Sequence, residues 1–254
     1  MNTINSKIST ALLFLIIIYC LIGCKKAEDG LSLNATETTL QKDQTFNLIV
    51  SPNASDCVFE SENDNIAEVS SSGVITANLV GETNITVSNA AKGFTAKLKV
   101  TVTPEYNMYR EPYLVFGKPK SDIKAYETRA MFQEDDVSIS YLGENSNILF
   151  FLYSFETSAY SSSGCLIPST QANLLGKYLA ERYVYLGTTD DIIAMLTTDG
   201  KTYVATQLFS LTEIMVGYFP KTTSKNNMDS KTNLDLVETI NIIKNRIKAC
   251  HPTK

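Results

Sequence analysis

Histidine and tryptophan are almost missing: 254 residues contain one His and no Trp. Imidazole is the commonest general base and zinc ligand, so that scarcity removes most catalytic and metal-site repertoires. The one imidazole, His251, belongs to the last few residues, where solvated side chains are the rule. A basic surplus is lacking as well. There are 22 Lys+Arg against 27 Asp+Glu, a formal charge of -5 and a pI near 5.1, which argues against a nucleic-acid partner. No phosphate-cradling glycine loop, His-x-x-x-His or Cys-x-x-Cys pair occurs, so neither a cofactor nor a metal is expected. What is present is an ordinary globular balance of 44% apolar and 19% charged residues, in a length that favours two domains.

The first 23 residues stand apart. Lys7 is their only charge, and an apolar run from Leu12 reaches Ile22. The run is shorter than the ~20 residues of a membrane-spanning helix. A basic start, a short apolar core and small residues after it make a secretory signal. It ends in Leu21-Ile22-Gly23-Cys24, which resembles the lipobox of bacterial lipoproteins. The resemblance implies that the Cys24 thiol takes a diacylglyceryl group and that cleavage before it makes Cys24 the acylated N-terminus. Removal of residues 1–23 moves the charge from -5 to -6, because only Lys7 is lost. The mature protein would then be a body held at a membrane by its lipid. Residues 24–29 form a tether. The absence of Asp directly after Cys24 fits outer-membrane sorting in that family. The stretch around Glu28 and Asp29 is similar to the short acidic export signals of one Gram-negative lineage rich in surface lipoproteins; a plain solvated linker is the alternative.

Of five cysteines, Cys20 leaves with the signal and Cys24 carries lipid. Cys57, Cys165 and Cys250 remain, an odd number at wide spacing. That is neither a disulfide framework nor a metal knuckle, and buried thiols are expected.

Residues 30–103 alternate with period two. Phe46, Leu48 and Val50 take every second place, as do Phe94, Ala96, Leu98, Val100 and Val102. Such alternation puts one set in a core and the other in water. Turn signals fall at 51–53, 62–65, 71–73 and 80–81, and no helical stripe interrupts them, which predicts an all-β sandwich. The run Asp64-Asn65-Ile66-Ala67-Glu68-Val69-Ser70-Ser71-Ser72-Gly73-Val74-Ile75-Thr76-Ala77, followed by Gly81-Glu82-Thr83-Asn84-Ile85-Thr86-Val87, resembles the bacterial Ig-like domain, group 2. The family's usual Trp is missing, and Phe59 is expected in its place as an aromatic anchor. Gly73 and Gly81 are expected at backbone angles closed to other residues, with Ala67, Val69, Ile75, Ile85 and Val87 inward. The resemblance implies a spacer or a sugar- or protein-binding module. The spacer is preferred, because no exposed aromatic cluster is visible in this segment.

Pro104 ends the last strand of that segment, and a hinge is expected near residues 103–105. Residues 104–220 predict an α+β domain with two helices packed on an antiparallel sheet. A short strand is expected at 113–116, then a turn at Gly117 and the first helix, capped by Ser121 or a neighbour. The second runs over 170–183 with Leu174, Leu175, Tyr178 and Leu179 on one stripe. Strands are expected at 137–141, 148–153, 192–196, 203–208 and 213–218, with Asp199-Gly200 turning a hairpin. The block after Phe116-Gly117 looks like segments that follow Ig-like domains in uncharacterised secreted lipoproteins. The element order is similar to the small-protein-A and β-lactamase-inhibitor-protein architecture, a fold-level analogy that licenses no function. Residues 221–233 make a polar linker, and 234–254 a last helix with Leu236, Val237, Ile240, Ile243 and Ile247 on one stripe and Asp235 and Glu238 near its positive start. That helix is expected to pack back on the second domain; a partner-binding helix is the alternative.

Three functions stay open. The first is a surface-displayed binding or adhesion lipoprotein at the outer membrane, its Ig-like domain lifting the second domain, with a glycan or protein ligand. The second is a periplasm-facing structural or assembly lipoprotein. The third is a glycan hydrolase using Glu134-Asp135-Asp136 and Asp190-Asp191 as paired carboxylates, though acidic turns are commonplace. Tyr106, Tyr109 and Tyr113 offer a sugar-stacking surface or an interface between the domains. Cys165 matches no nucleophile motif. A non-catalytic protein is the preferred reading.

Overall fold

The computed structural model describes residues 30–52, 54–189, 191–221 and 231–250. The first domain is a sandwich of short strands. Strand β1 (Ser32–Leu33) pairs with β4 (Val50–Ser51), and β3 (Thr45–Asn47), β7 (Val74–Ala77) and β6 (Ala67–Val69) form one sheet. The facing sheet runs β2 (Glu37–Gln41), β9 (Phe94–Thr103), β8 (Gly81–Asn89) and β5 (Val58–Ser61), with β2 parallel to β9. Its core is the period-two set: Ala67, Ile75, Ile85, Val87, Leu98 and Val100 are all fully buried. Val69 is only half-buried. Leu48 belongs to neither β3 nor β4, so the alternation through Phe46, Leu48 and Val50 spans two short strands rather than one. Gly73 has φ +83, and a Cβ there would stand 2.7 Å from the Leu48 carbonyl oxygen. At Gly81 it would meet Ile66 Cδ1 at 2.8 Å. Both positions therefore exclude larger residues. Phe59 is half-buried, its ring lying over Gly73. It closes the edge of the core rather than anchoring its centre.

The second domain carries more strands than its sequence predicts, but none forms at the expected 113–116, which runs as irregular chain into a turn at Gly117. A single eight-stranded antiparallel sheet runs in the order β10 (Met131–Glu134), β11 (Ser138–Leu142), β12 (Phe150–Glu156), β13 (Ala159–Pro168), β17 (Glu213–Pro220), β16 (Thr202–Leu208), β15 (Ile192–Thr197), β14 (Tyr183–Thr189). Helix α1 (Lys120–Tyr126) precedes the first four strands and α2 (Ala172–Ala180) the second four. The chain is thus two helix-plus-four-strand units in tandem, joined where β13 meets β17. Both helices lie on one face, with Ile123 of α1 and Leu175, Tyr178 and Leu179 of α2 in a single core with Tyr153, Tyr160, Val216 and Tyr218. Ser121 does not cap α1. It lies inside the first turn, and Pro119 occupies the cap position without a side-chain bond.

The opposite face is covered too, which corrects the expectation of two helices on one sheet. Helix α3 (Lys231–Cys250) lies across it, with Ile240, Ile243 and Ile247 fully buried against Phe150, Leu152, Leu166 and Met215. Gly164, Gly217, Ala205 and Ala194 stand side by side on four strands. A Cβ on Gly164 would come within 2.6 Å of Ile243 Cγ2, so small residues set how closely the helix approaches. The helix starts at Lys231 rather than 234, and Asp235 therefore lies beyond its first turn. Residues 222–230 of the expected linker are outside the described residues.

The expected hinge is tied down. The Glu181 side chain, 4% exposed, accepts the backbone N–H of Glu105 at 2.9 Å and of Tyr106 at 3.1 Å. Its carbonyl accepts the Val80 N–H at 2.7 Å. Asn63 and Asn65 donate to the Thr198 carbonyl. Two turns of the sandwich thus contact the end of α2 and the β15–β16 hairpin.

Candidate functional site

Period two assembles the most distinctive concavity. Tyr183 and Tyr185 on β14, Ile193 and Met195 on β15, and Thr206 and Leu208 on β16 fall on the same sheet face, the one that α2 covers. Helix periodicity brings Leu175 and Leu179 over them. Between helix and sheet lies a groove of about 580 Å³, a size that suits a small molecule. Its walls are mostly apolar, and several stay in water: Tyr185 is 64%, Leu208 63% and Ile193 41% exposed. Asp191 contributes the one charge among the described residues of the lining. The Thr206 hydroxyl is buried without a hydrogen-bond partner among the described residues. Beneath the groove, Tyr183 donates to Glu111, and burial pushes its hydroxyl pKa well above the ordinary phenol value.

The acidic turns do not form one site. The Glu134-Asp135-Asp136 turn follows β10 and Asp191 follows β14, at opposite edges of the sheet. Seven strand-to-strand steps of about 4.8 Å put them roughly 30 Å apart, far beyond the separation that glycoside hydrolysis requires. Glu134 pairs with Lys124 at 2.6 Å. The Asp135 carboxylate accepts the N–H groups of Val137 and Ser138 and the Ser138 hydroxyl. Burial raises its pKa, but those hydrogen bonds outweigh it and hold the carboxyl below the usual value.

The three tyrosines form no stacking platform. Tyr109 is buried in the second domain, edge-on to Phe151 and 2.6 Å from the Tyr218 hydroxyl. Tyr113 packs between Tyr126 and Tyr160, and Tyr106 is half-buried beside Lys177. They are core residues of the second domain, Tyr106 alone touching the inter-domain contact through its backbone. Cys165 is fully buried, and burial pushes its thiol up to about 12. It stays protonated at neutral pH, which disqualifies it as a nucleophile. Cys57 is half-buried in the sandwich. Cys24, Glu28, Asp29, Asp190 and His251 lie outside the described residues, as does the Cys250 side chain. Among the described residues no cluster of His, Cys, Asp and Glu could hold a metal ion, and no helix is long and apolar enough to cross a membrane.

The residues that matter most here were not visible in the sequence. Glu181 reads as an ordinary helix-end acid, yet it ties the two domains. Arg129 and Glu127 form an ion pair at 2.5 Å with side chains 1% and 0% exposed, and Arg129 also reaches Glu144 and stacks over Phe151. Gly176, a glycine inside α2, lines the groove. Only Gly176 carried a signal, because a helix-interior glycine is unfavourable by about 1 kcal/mol relative to alanine.

Comparison with known proteins gives distant similarities and one family. No curated protein matches the chain. An intimin mutant of EHEC O157:H7 is similar at 10% identity, covering 67% of this chain and 84% of that one, with a TM-score of 0.24. Domains 5–6 of the S-layer protein SbsC are similar at 12% identity, covering 76% and 83%, with a TM-score of 0.24. Residues 29–102 match the family model of the bacterial Ig-like domain (group 2), so the first domain is an Ig-like domain of that family.

Proposed function

We propose that this is a lipid-anchored protein of the cell envelope, displayed at the outer surface, in which the Ig-like domain is a spacer and the second domain a binding module. The observation that carries the reading is the sequence Leu21-Ile22-Gly23-Cys24 behind a short apolar core, directly upstream of an Ig-like domain. Several acyl chains on Cys24 give stable anchoring where one would be marginal. The spacer role is supported by the sandwich itself, whose apolar side chains are mostly spent on its core. The second domain instead leaves an apolar groove open to water. Non-enzymatic binding is the preferred activity, supported by the separation of the acidic turns and the inert Cys165 thiol.

Fatty-acid labelling of cells expressing the wild type and Cys24→Ala tests the anchor. Label on the wild type and none on the variant is expected; an unlabelled wild type, or a labelled variant, overturns it. Protease shaving of intact cells then tests display. Digestion of the protein with the outer membrane intact supports the surface reading. Protection until that membrane is broken replaces it with the periplasm-facing structural role.

A further inference from the structure

We propose that the groove between α2 and strands β14–β16 binds a small amphiphile, an apolar body carrying one amine. The inference deepens the reading above and rests on the second domain being the binding module.

Three observations converge on it. The first is the exposed apolar wall. Tyr185, Ile193 and Leu208 are on the face that strand periodicity assigns to the core, yet each is more than 40% exposed. On the same face near α1, the chain's own segment 106–118 lies over the sheet, with Phe116 stacked on Tyr160 at 4.7 Å and Tyr113 against Tyr126 at 5.3 Å. No segment of the described chain covers β14–β16 beside α2 in that way. A matching apolar body would remove that wall from water.

The second observation is Gly176. A Cβ added there would meet no atom within 4 Å, and its backbone is helical with no positive φ. Neither a turn nor close packing requires glycine, and alanine would stabilise the helix. What the missing side chain does is leave the groove wide. The third observation is charge. Asp191 is the one charged group in the described lining, so a cation is complementary and an anion is repelled.

The test uses chain 25–254, which keeps every described residue without the acyl anchor. Titration calorimetry compares n-decylamine, n-decanol and decanoate below their aggregation limits. The amine should bind at least ten-fold more tightly than decanoate, with the alcohol between. Asp191→Asn, which tolerates the φ of +63 at that position,, should bring amine and alcohol to equal affinity. Gly176→Leu should weaken decylamine at least ten-fold while the Tm stays level or rises. No decylamine binding below 1 mM, equal or tighter decanoate binding, or a Gly176→Leu protein that binds like the wild type would each overturn the proposal. Should Gly176→Leu lower the Tm, the Asp191→Asn result decides by itself. Failure here with labelled, protease-accessible protein removes the groove assignment alone; failure of labelling removes the anchor and leaves the titration result standing.

Discussion

The two units of the second domain share an element order and differ in how they are filled. Each is a helix followed by four antiparallel strands, with an acidic turn after the first strand, and the fourth strands meet at the centre of the sheet. Beside α1 the space is taken by aromatic side chains of segment 106–118 and by the buried Arg129–Glu127 pair. Tyr153 donates to Glu127, and burial first, then the Glu127 charge, pushes the tyrosine pKa far above its ordinary value. Beside α2 the corresponding space is open, and apolar side chains face water. The contrast teaches that strand order builds the scaffold, while side-chain volume and one inserted segment decide whether a cavity remains.

The filled unit should be the more sensitive of the two to substitution. Arg129→Met would leave the buried Glu127 side chain without its ion-pair partner, and breaking such a pair costs about 3–5 kcal/mol. Denaturant unfolding should show that loss, and adding Glu127→Leu should recover most of it. A loss below about 1 kcal/mol would mean that the pair does not distinguish the two units. At the shared centre, Ile243→Ala removes a fully buried side chain and should cost about 2–5 kcal/mol. Glycines sharpen the contrast between centre and groove. Gly164→Ala should destabilise, because its Cβ meets Ile243, whereas Gly176→Ala should stabilise by about 0.5–1 kcal/mol. The same sign at both positions would erase the distinction.

An effect of similar small size concerns the acidic turns. Asp135 is held below its usual pKa by hydrogen bonds within its turn, so folding favours its ionised form. That contribution is present above the unfolded carboxyl pKa of about 4 and is lost as pH falls through the folded value. Asp135→Ala should therefore cost about 1 kcal/mol at neutral pH. The gap from wild type should close on acidification below pH 4, read from denaturation midpoints. A gap that persists at pH 2 would assign the effect to the backbone turn and not to the carboxylate.

Legibility followed the same physical lines. The Ig-like domain could be read because its strands bury one face and wet the other. Ile85, Val87, Leu98 and Val100 recur at period two, and Gly73 marks a turn with positive φ. In the second domain three strands were missed, β10, β13 and β14, and the first two break that pattern in opposite ways. All four residues of β10 are exposed, so no apolar set alternates. In β13 both faces are covered, and Ser162, Ser163 and Gly164 are small because α3 and Tyr160 need the room. A buried strand of serine and glycine reads as a loop. The third helix was visible from Ile240, Ile243 and Ile247, but the face it would cover was not.

By itself the sequence determined the sandwich, the amphipathic stripes of α2 and α3 and the hairpin at Asp199-Gly200, because each is written within a few turns or strand repeats. Only the tertiary structure decided that β13 pairs with β17, that Glu181 gathers the N–H groups of Glu105 and Tyr106, and that an open groove survives beside α2. Those outcomes depend on partners about 40 to 76 residues apart in the chain. Whether a helix-interior glycine marks a cavity or a close contact depends on what the rest of the fold brings against it. At Gly176 it brings nothing within 4 Å, and the space stays open.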